Sequence, residues 1–477
     1  MKINNSIGSS EEPLLDKEFQ LRLINKALSH GGEYADVFME HQKLTSLVIE
    51  DGKLEKIITG TKAGAGIRLI YKGKTAYAFS NDFSEEALMQ AASYASRAAR
   101  EEPVDSMVDL TVKRPSMNFD IKLFPWDIPL HNKISVIRKA DSISRASDSR
   151  IKQVTAVYRD SVQKVQIATS DGFVAVDERI YTSAIIQIIA VQGNIIQTGY
   201  ESVGGLTGFE LFEKNDIEEL SLRATGRAIM MLTAKRAPGG RMPVVISSSA
   251  GGTMIHEAIG HGLEADLAQQ GLSVFSGKTG SQVASKLITV IDDATLAQKR
   301  GSFRFDDEGT HSQRTVLVEN GILRNYMYDR LSSMKDRVQS TGNGRRESYQ
   351  HRPIPRMSNT FIAEGYTPPE QILCSLEKGL LVEKMGGGQV NTVTGDFVFD
   401  VQEGYLIEKG EKGDPVRGAT LTGNGPQILK SIDMVGNDLG FSIGTCGKDS
   451  QGVPVSDAIP TIRIPEIVVG GTCKKEE

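Results

Sequence analysis

The chain has 477 residues, which is more than one hydrophobic core usually supports, so two domains are expected and three are possible. A hydrophobic content of 39% describes a globular protein, and a net charge of -5 gives no general attraction to nucleic acid or to anionic membranes. No stretch approaches the roughly 18 apolar residues of a membrane span, and residues 1–6 lack the apolar region of a signal peptide.

Three widely separated cysteines, Cys374, Cys446 and Cys473, favour a reducing compartment over a disulfide framework. We therefore expect a cytoplasmic protein that binds neither nucleic acid nor membrane. Each cysteine is free to serve as a metal ligand.

The first half of the chain alternates helices and strands. Residues 16–30 carry an apolar stripe that predicts a helix, which Gly31 and Gly32 end. A period of two over residues 34–49 predicts a strand, with Asp51 and Gly52 as a hairpin turn. Further strands are predicted over residues 66–71, 76–79, 154–158, 165–167 and 185–189, and further helices over 85–100, capped by Ser84, and 133–147.

A long helix is predicted over residues 209–235, before Pro238 and two glycines. We place the domain boundary there, which gives domains of residues 1–237 and 238–477. Residues 243–247 are predicted to form a buried strand that leads into a helix. The rest is rich in glycine and β-patterned, so the second domain should be mostly a closed or strongly curved sheet. Strands are predicted there over residues 286–292, 315–318, 326–328, 397–402 and 405–407.

Residues 255–262 contain the groups that a zinc hydrolase uses. His256 and His261 offer imidazoles for the ion, and Glu257 offers a carboxylate that can accept a proton from water. The spacing is H-E-x-x-x-H, one residue longer than the common H-E-x-x-H. Positions i and i+5 of a regular helix diverge by roughly 140°. Both rings therefore reach one ion only if the helix forms a π-bulge or breaks near Gly260; an ordinary helix with two unrelated histidines is the alternative.

A catalytic zinc ion needs a third protein ligand. Cys446 lies between glycines, where backbone can approach an ion closely. Cys374 falls in an apolar helical stretch that suits a small core residue, and Cys473 lies close to the chain end. Cys446 is therefore the best candidate for the third ligand. The other histidines are scattered and typical of surface or hydrogen-bonded residues: His30, His41, His131, His311 and His351.

Two other kinds of motif have ordinary structural interpretations. The carboxylates of residues 306–308 could hold a second hard cation, but a turn or capping role is commoner. The glycines of residues 386–388 and 423–425 lack the arrangement of a nucleotide-binding loop, so we interpret them as tight turns or as channel lining, with turns favoured.

The motifs of the C-terminal half, in this order, resemble the TldD branch of the TldD/PmbA metalloprotease family. The related PmbA (TldE) branch generally lacks the H-E-x-x-x-H motif, so His256, Glu257 and His261 point to the catalytic branch. The N-terminal pattern also resembles the first domain of the family. The motifs span residues 256–262, 306–310, 356–360, 386–390, 423–425 and 444–448.

The resemblance implies an α+β protein, in which an N-terminal α/β domain with a mixed sheet precedes a β-rich, barrel-like C-terminal domain that carries the metal-site helix. It implies a zinc ion held by His256, His261 and Cys446, with Glu257 activating the zinc-bound water. The implied reaction is hydrolysis of unfolded or extended peptides inside a dimeric chamber, formed with a TldE/PmbA-like subunit or with a second copy.

The residues leave several alternatives open. Arg356 or the glycine-loop amides could stabilise an oxyanion, although structural roles are commoner. The chain could instead be a non-catalytic regulatory or binding subunit with structural zinc, or a hydrolase of another bond. A purely structural site has no need of Glu257 and would more often have four protein ligands.

Overall fold

The computed structural model describes residues 14–99 and 109–472. Cys473, residues 1–6 and the last residue of the helix predicted over 85–100 lie outside the described residues. Within the described ranges, none of the helices combines the length and the apolar character that crossing a bilayer requires.

Helices and long strands alternate in the first half, as predicted. Asp16 and Ser84 cap the first two helices by accepting hydrogen bonds from the backbone amides of Phe19 and Ala87. The elements are α1 (Lys17–Ala27), β1 (Tyr34–Glu50), β2 (Lys53–Tyr71), β3 (Lys74–Ser80), α2 (Glu85–Ser96), β4 (Thr111–Lys113), α3 (Leu130–Ser147), β5 (Ile151–Thr169), β6 (Phe173–Gln192), β7 (Ile195–Leu206), α4 (Leu211–Lys214) and α5 (Ile217–Thr233).

The first sheet has the order β3-β2-β1-β5-β6-β4, and β7 also pairs with β6. Neighbouring strands in this sheet are antiparallel, except that β4 is parallel to β6. This arrangement confirms the predicted mixed sheet. The β1–β2 hairpin turns at Asp51 and Gly52, both with positive φ, as a two-residue turn matched to the strand twist requires.

The two faces of this sheet have different partners. Side chains alternate along β1, so Val37 and Leu47 lie on the same face of the sheet. Helices α1 and α2 cover Val37, and helices α3 and α5 cover Leu47. Phe38 points to the other face and packs against Phe305 and Tyr349 of the second half. The sheet therefore lies between its own helices and the rest of the chain.

The helix predicted over residues 209–235 is wrong as a single element. It is divided into α4 and α5 at Asn215 and Asp216. The Asp216 side chain accepts a hydrogen bond from the backbone amide of Glu218, and this cap starts a new helix.

The second half is β-rich, as predicted. Its elements are β8 (Lys235–Arg236), β9 (Gly240–Ile246), α6 (Thr253–Ile255), α7 (Ala265–Gln269), β10 (Val290–Asp293), β11 (Arg314–Glu319), β12 (Ile322–Leu323), α8 (Arg330–Asp336), β13 (Gly344–Arg345), β14 (Ile354–Pro355), β15 (Asn359–Ile362), α9 (Pro369–Cys374), β16 (Lys378–Val390), β17 (Asp396–Glu408), β18 (Glu411–Arg417), β19 (Thr420–Asn424), α10 (Gly425–Ser431), β20 (Met434–Val435), β21 (Gly440–Lys448), β22 (Gln451–Ile459) and β23 (Ile462–Gly470).

Five strands of this half close on themselves in the order β16-β9-β23-β19-β17, because β17 pairs back with β16. This ring confirms the barrel-like C-terminal fold. A second sheet has the order β12-β11-β10-β15-β22-β21. Residues 255–262, which contain both His256 and His261, form the histidine segment. Its Ile255 and Ile259 share one buried core with barrel residues such as Val244 and Phe399. The barrel thus holds the histidine segment in place.

Some details of the predicted strands are wrong. Residues 326–328 form no strand, since Met327 makes only an isolated bridge with Glu264. The two strands predicted over residues 397–407 are one, β17. The domain boundary after residue 237 stays a prediction.

Candidate metal centre

The histidine segment is not a regular helix. A short α-helical turn, α6, passes into a π-helix at His256–Gly260 and then into a 3-10 turn at His261–Leu263. The backbone amide of His261 donates to the carbonyl of His256, the i+5 bond of a π-helix. The predicted distortion between the two histidines is therefore confirmed.

Gly260 explains why the chain tolerates this geometry. A Cβ atom at this position would lie 2.2 Å from Sδ of buried Met357. The absent side chain lets the π-helix lie directly against Met357, two residues before β15.

The structure brings together the three residues predicted as ligands. One nitrogen each of His256 and His261 and the Cys446 Sγ lie within 4.8 Å of one another. The two rings stand almost perpendicular, at 88°, with their centroids 4.9 Å apart. The Cys446 Sγ lies 3.7 Å from Nε2 of His261. The cluster includes none of the five other histidines, all of which belong to the described residues.

Cys446 reaches the histidines from the hairpin of β21 and β22, where it pairs with Val453. The side chain is buried, with 2% of its surface exposed. The predicted ligand that is distant in sequence therefore lies on a regular strand, and the loop expected around it is a β-hairpin.

Each imidazole is held from behind by a carboxylate. The His256 Nδ1 lies 2.8 Å from Oδ1 of Asp457, and the His261 Nδ1 lies 3.1 Å from Oε2 of Glu264. Carboxylates at these positions fix the ring orientation and leave Nε2 of each ring for a metal. This is the outer arrangement that metal-ligating histidines usually have.

Sequence reasoning assigned neither carboxylate. Glu264 follows the second histidine by three residues, a spacing that could have signalled it. Asp457 lies 201 residues from its partner His256, on β22. Only the pairing of β22 with the Cys446 strand reveals it.

The groups at this site shift one another's pKa values. Burial raises the pKa of the Cys446 thiol, but hydrogen bonds with His256 and His261 outweigh this and lower it to about 6. Burial lowers the pKa of His261, but the charge of Glu264 and the contact with Cys446 raise it to about 10. Thiolate and imidazolium therefore attract each other here, and a metal cation bound among these atoms would take the place of the imidazolium proton that faces it.

Lys448 stabilises the carboxylate of Glu264, which lies behind His261. Its Nζ lies 3.1 Å from Oε2 of Glu264 and 2.7 Å from Oδ1 of Asp266. Burial raises the pKa of Glu264, yet the charges of Lys448 and His261 lower it to about 2. Glu264 therefore stays ionised behind His261.

Glu257, the predicted base, lies on the π-helix and is half-buried. In the part of the chain that the structure describes, its carboxylate has no hydrogen-bond or ion-pair partner, unlike Glu264 and Asp457. No other described protein group therefore neutralises this carboxylate.

Arg356 has a structural role. It is buried and donates hydrogen bonds to the backbone carbonyls of Cys446 and Gln451. Its guanidinium therefore supports the hairpin that carries Cys446.

The acidic motif joins the two halves of the chain. Asp306 accepts hydrogen bonds from the backbone amides of Glu308, Thr310 and Gly344, which is the turn role expected. Glu308 forms an ion pair with Arg68 of β2 at 2.7 Å. A second cation is not needed to explain these buried carboxylates.

Two minor predictions are wrong. Cys374 is exposed rather than part of the core, because the short helix α9 buries only Ile372. Residues 386–388 lie inside β16 rather than in a tight turn. A Cβ atom on Gly388 would lie 1.9 Å from the Phe399 ring of β17, so close strand approach accounts for that glycine.

Comparison with known families covers most of the chain. Three domain models of the PmbA/TldA metallopeptidases match the chain: domain 1 over residues 35–99, the central domain over 124–232 and the C-terminal domain over 239–471. The chain belongs to the TldD/PmbA metallopeptidase family. The resemblance to this family that the sequence shows is thereby confirmed.

Named relatives extend over almost the whole chain. A metalloprotease TldD homolog from Haemophilus influenzae is 36% identical over 455 residues, covering 93% of this chain and 94% of the relative. A zinc metalloprotease TldD homolog from Saccharolobus solfataricus is 26% identical over 453 residues, covering 94% and 99%. The family assignment therefore makes a metal-dependent peptidase the coarse description of this protein.

Solved structures share the fold. A candidate modulator of a DNA gyrase from Thermotoga maritima has a TM-score of 0.79 at 23% identity, covering 95% of this chain and all of that one. TldE from Thermococcus kodakarensis has a TM-score of 0.75 at 18% identity, with 95% and 100% covered. At these identities the likeness concerns the fold alone.

Proposed function

We propose that the protein is a zinc-dependent peptidase that hydrolyses unfolded or extended peptides, with His256, His261 and Cys446 as zinc ligands and Glu257 as the base. The main support for this proposal is that the three candidate ligand atoms lie close together, with a carboxylate behind each imidazole. The name of the Saccharolobus relative supports zinc in particular.

The donor set fits zinc. Tetrahedral zinc, with bonds of about 2.0–2.3 Å to nitrogen and sulfur, separates neighbouring ligand atoms by about 3.3–3.6 Å. The distance of 3.7 Å between Cys446 Sγ and His261 Nε2 nearly meets this requirement, and the whole set lies within 4.8 Å. Within the described residues the cluster offers three ligands, the number typical of catalytic sites, whereas structural zinc sites are usually closed by four.

The reaction assigns a separate task to each residue. Zinc, when bound, supplies a Lewis acid that lowers the pKa of water and polarises a carbonyl. Glu257 accepts the proton of the attacking water and then donates it to the leaving amine. Asp457 and Glu264 keep the two imidazoles oriented throughout.

The strand that carries Cys446 supports the choice of extended peptides. β21 is the last strand of its sheet and pairs only with β22 among the described residues. A free edge recognises an added strand through main-chain hydrogen bonds, which tolerates many side-chain sequences. A peptide added to β21 would pass directly beside Cys446.

We also propose that the active enzyme is a dimer that encloses the site in a chamber, with a TldE-like subunit or a second copy. The TldE structure that shares this fold makes such a partner reasonable. The outer surface of the barrel exposes Val398 and Val468, which flank Thr422 across three neighbouring strands. Exposed apolar side chains grouped on one face of a sheet are compatible with an interaction surface.

The test is hydrolysis of an unfolded polypeptide mixture by the protein alone and with any TldE-like partner. We expect fragments to appear, to vanish when a chelator removes the metal, and to return on addition of zinc. The same polypeptides in folded form are the control and should stay intact. Absence of hydrolysis with zinc and the partner both present would favour a binding subunit with structural zinc.

A further inference from the structure

A cavity of about 550 Å³ lies between the first sheet and the hairpin of β21 and β22. Thr445 and Pro454, which pair across this hairpin, form part of its wall. Successive side chains of a strand point to opposite faces, so Thr445 faces the cavity while Cys446 faces the histidines. The cavity is therefore separate from the metal centre and lies behind it.

The wall of the cavity carries an excess of positive charge. Six cationic side chains and three carboxylates line it. Two of the carboxylates already have partners: Asp160 pairs with Lys133 at 2.6 Å and Asp307 pairs with Arg179 at 2.7 Å. The third, Glu347, is exposed and accepts a hydrogen bond from a backbone amide. These carboxylates leave the positive excess unbalanced.

Three of the cations have no carboxylate within ion-pair distance. Among the described residues, no carboxylate oxygen lies within the 4.0 Å ion-pair distance of Arg159, Arg300 or Arg345. Arg300 Nε donates to the carbonyl of Gly444 at 3.4 Å, and Arg345 donates to that of Pro454 at 2.8 Å. Carbonyls satisfy hydrogen bonds, but they do not neutralise a charge.

The same arginines bear an electrostatic cost. Burial lowers the pKa of the Arg300 guanidinium, and the nearby charge of Arg159 lowers it further. Burial also lowers the pKa of Arg345. An anion between these groups would remove the repulsion and offset the loss of hydration.

We propose that this cavity is an oxyanion-binding site that takes a carboxylate or phosphate group between Arg159 of β5 and Arg300 behind the hairpin. Guanidinium groups suit this role because their planar donor pairs match the oxygens of both anions. Hydroxyl groups of Thr45, Ser161 and Ser183 also line the cavity and add donors. The site is independent of the proposed peptidase activity.

The test is calorimetric titration of the full-length, zinc-loaded protein with inorganic phosphate and, separately, with N-acetylglutamate. We expect saturable binding of at least one probe with Kd at or below about 1 mM. Phosphate alone would identify a free phosphate-type ligand, and N-acetylglutamate alone a carboxylate ligand; binding of both would support the shared oxyanion chemistry.

Substitution locates the binding. Arg159 is exposed, so Arg159→Gln should fold normally and weaken binding about tenfold or more, the usual effect of losing a charge-assisted hydrogen bond. Arg236→Gln removes an exposed arginine of β8 that does not line this cavity and should change nothing. No saturable binding of either probe, or binding that Arg159→Gln leaves unchanged, would overturn the proposal.

Discussion

Replacing Asp457 by asparagine tests whether the carboxylate behind His256 contributes to the metal site. Asp457 Oδ1 lies 2.8 Å from His256 Nδ1 in a buried setting, and asparagine keeps the size and the acceptor but removes the charge. Loss of such an outer carboxylate commonly weakens metal binding about tenfold to hundredfold, or about 1.4–2.8 kcal/mol. We expect a loss in that range because His256 then becomes a poorer ligand.

The assay is competition for zinc with a chelator of known affinity, followed by thermal unfolding of the zinc-free variant to verify the fold. Asp449→Asn is the matched control, since Asp449 lies exposed at the tip of the same hairpin with a positive φ that asparagine accepts. The control should bind zinc like the wild type. Zinc affinity of Asp457→Asn equal to that of the wild type would refute the assigned role.

Three further predictions concern the same centre. Cys446→Ser should fold but bind zinc at least about tenfold more weakly, because a hydroxyl is a poor zinc ligand, and an unchanged zinc content on dialysis would remove Cys446 from the ligand set. Gly260→Ala should lower the free energy of unfolding by about 1–3 kcal/mol in urea titration, since its Cβ would lie 2.2 Å from Met357 Sδ; Gly387→Ala, with open space around it, is the control, and equal stability of the two would contradict the packing argument. Removing zinc should lower the melting temperature, because zinc at about 100 times its Kd contributes about 2.7 kcal/mol, and an unchanged melting temperature would show that the ion does not bind the folded state preferentially.

Local sequence rules predicted the backbone geometry of the histidine segment well. The five-residue step from His256 to His261 demanded a distorted helix, and Gly260 marked where the distortion would fit. Cys446 followed from elimination among three cysteines. The distortion was predictable because helix geometry acts over a few residues. The structure places Cys446 beside the two histidines, and its role as a metal ligand stays a prediction.

Features that depend on tertiary pairing were not predictable in the same way. Asp457 reaches His256 only because β22 carries it beside Cys446. Gly388 of β16 allows close contact with Phe399 on the neighbouring strand β17, which the sequence of one strand does not reveal. The two carboxylates of residues 307 and 308 form ion pairs with arginines of the first sheet, more than 100 positions away. Sequence spacing alone carries no signal for such distant partners.

The most direct test of the proposed function is Glu257→Ala. We expect the variant to retain the zinc content of the wild type, because Glu257 is not among the ligands, and to lose peptide hydrolysis by about 100-fold to 10,000-fold, because the base is gone. Glu411→Ala, at an exposed position of β18, is the control and should remain active. A zinc-loaded Glu257→Ala variant with full peptidase activity would contradict the account.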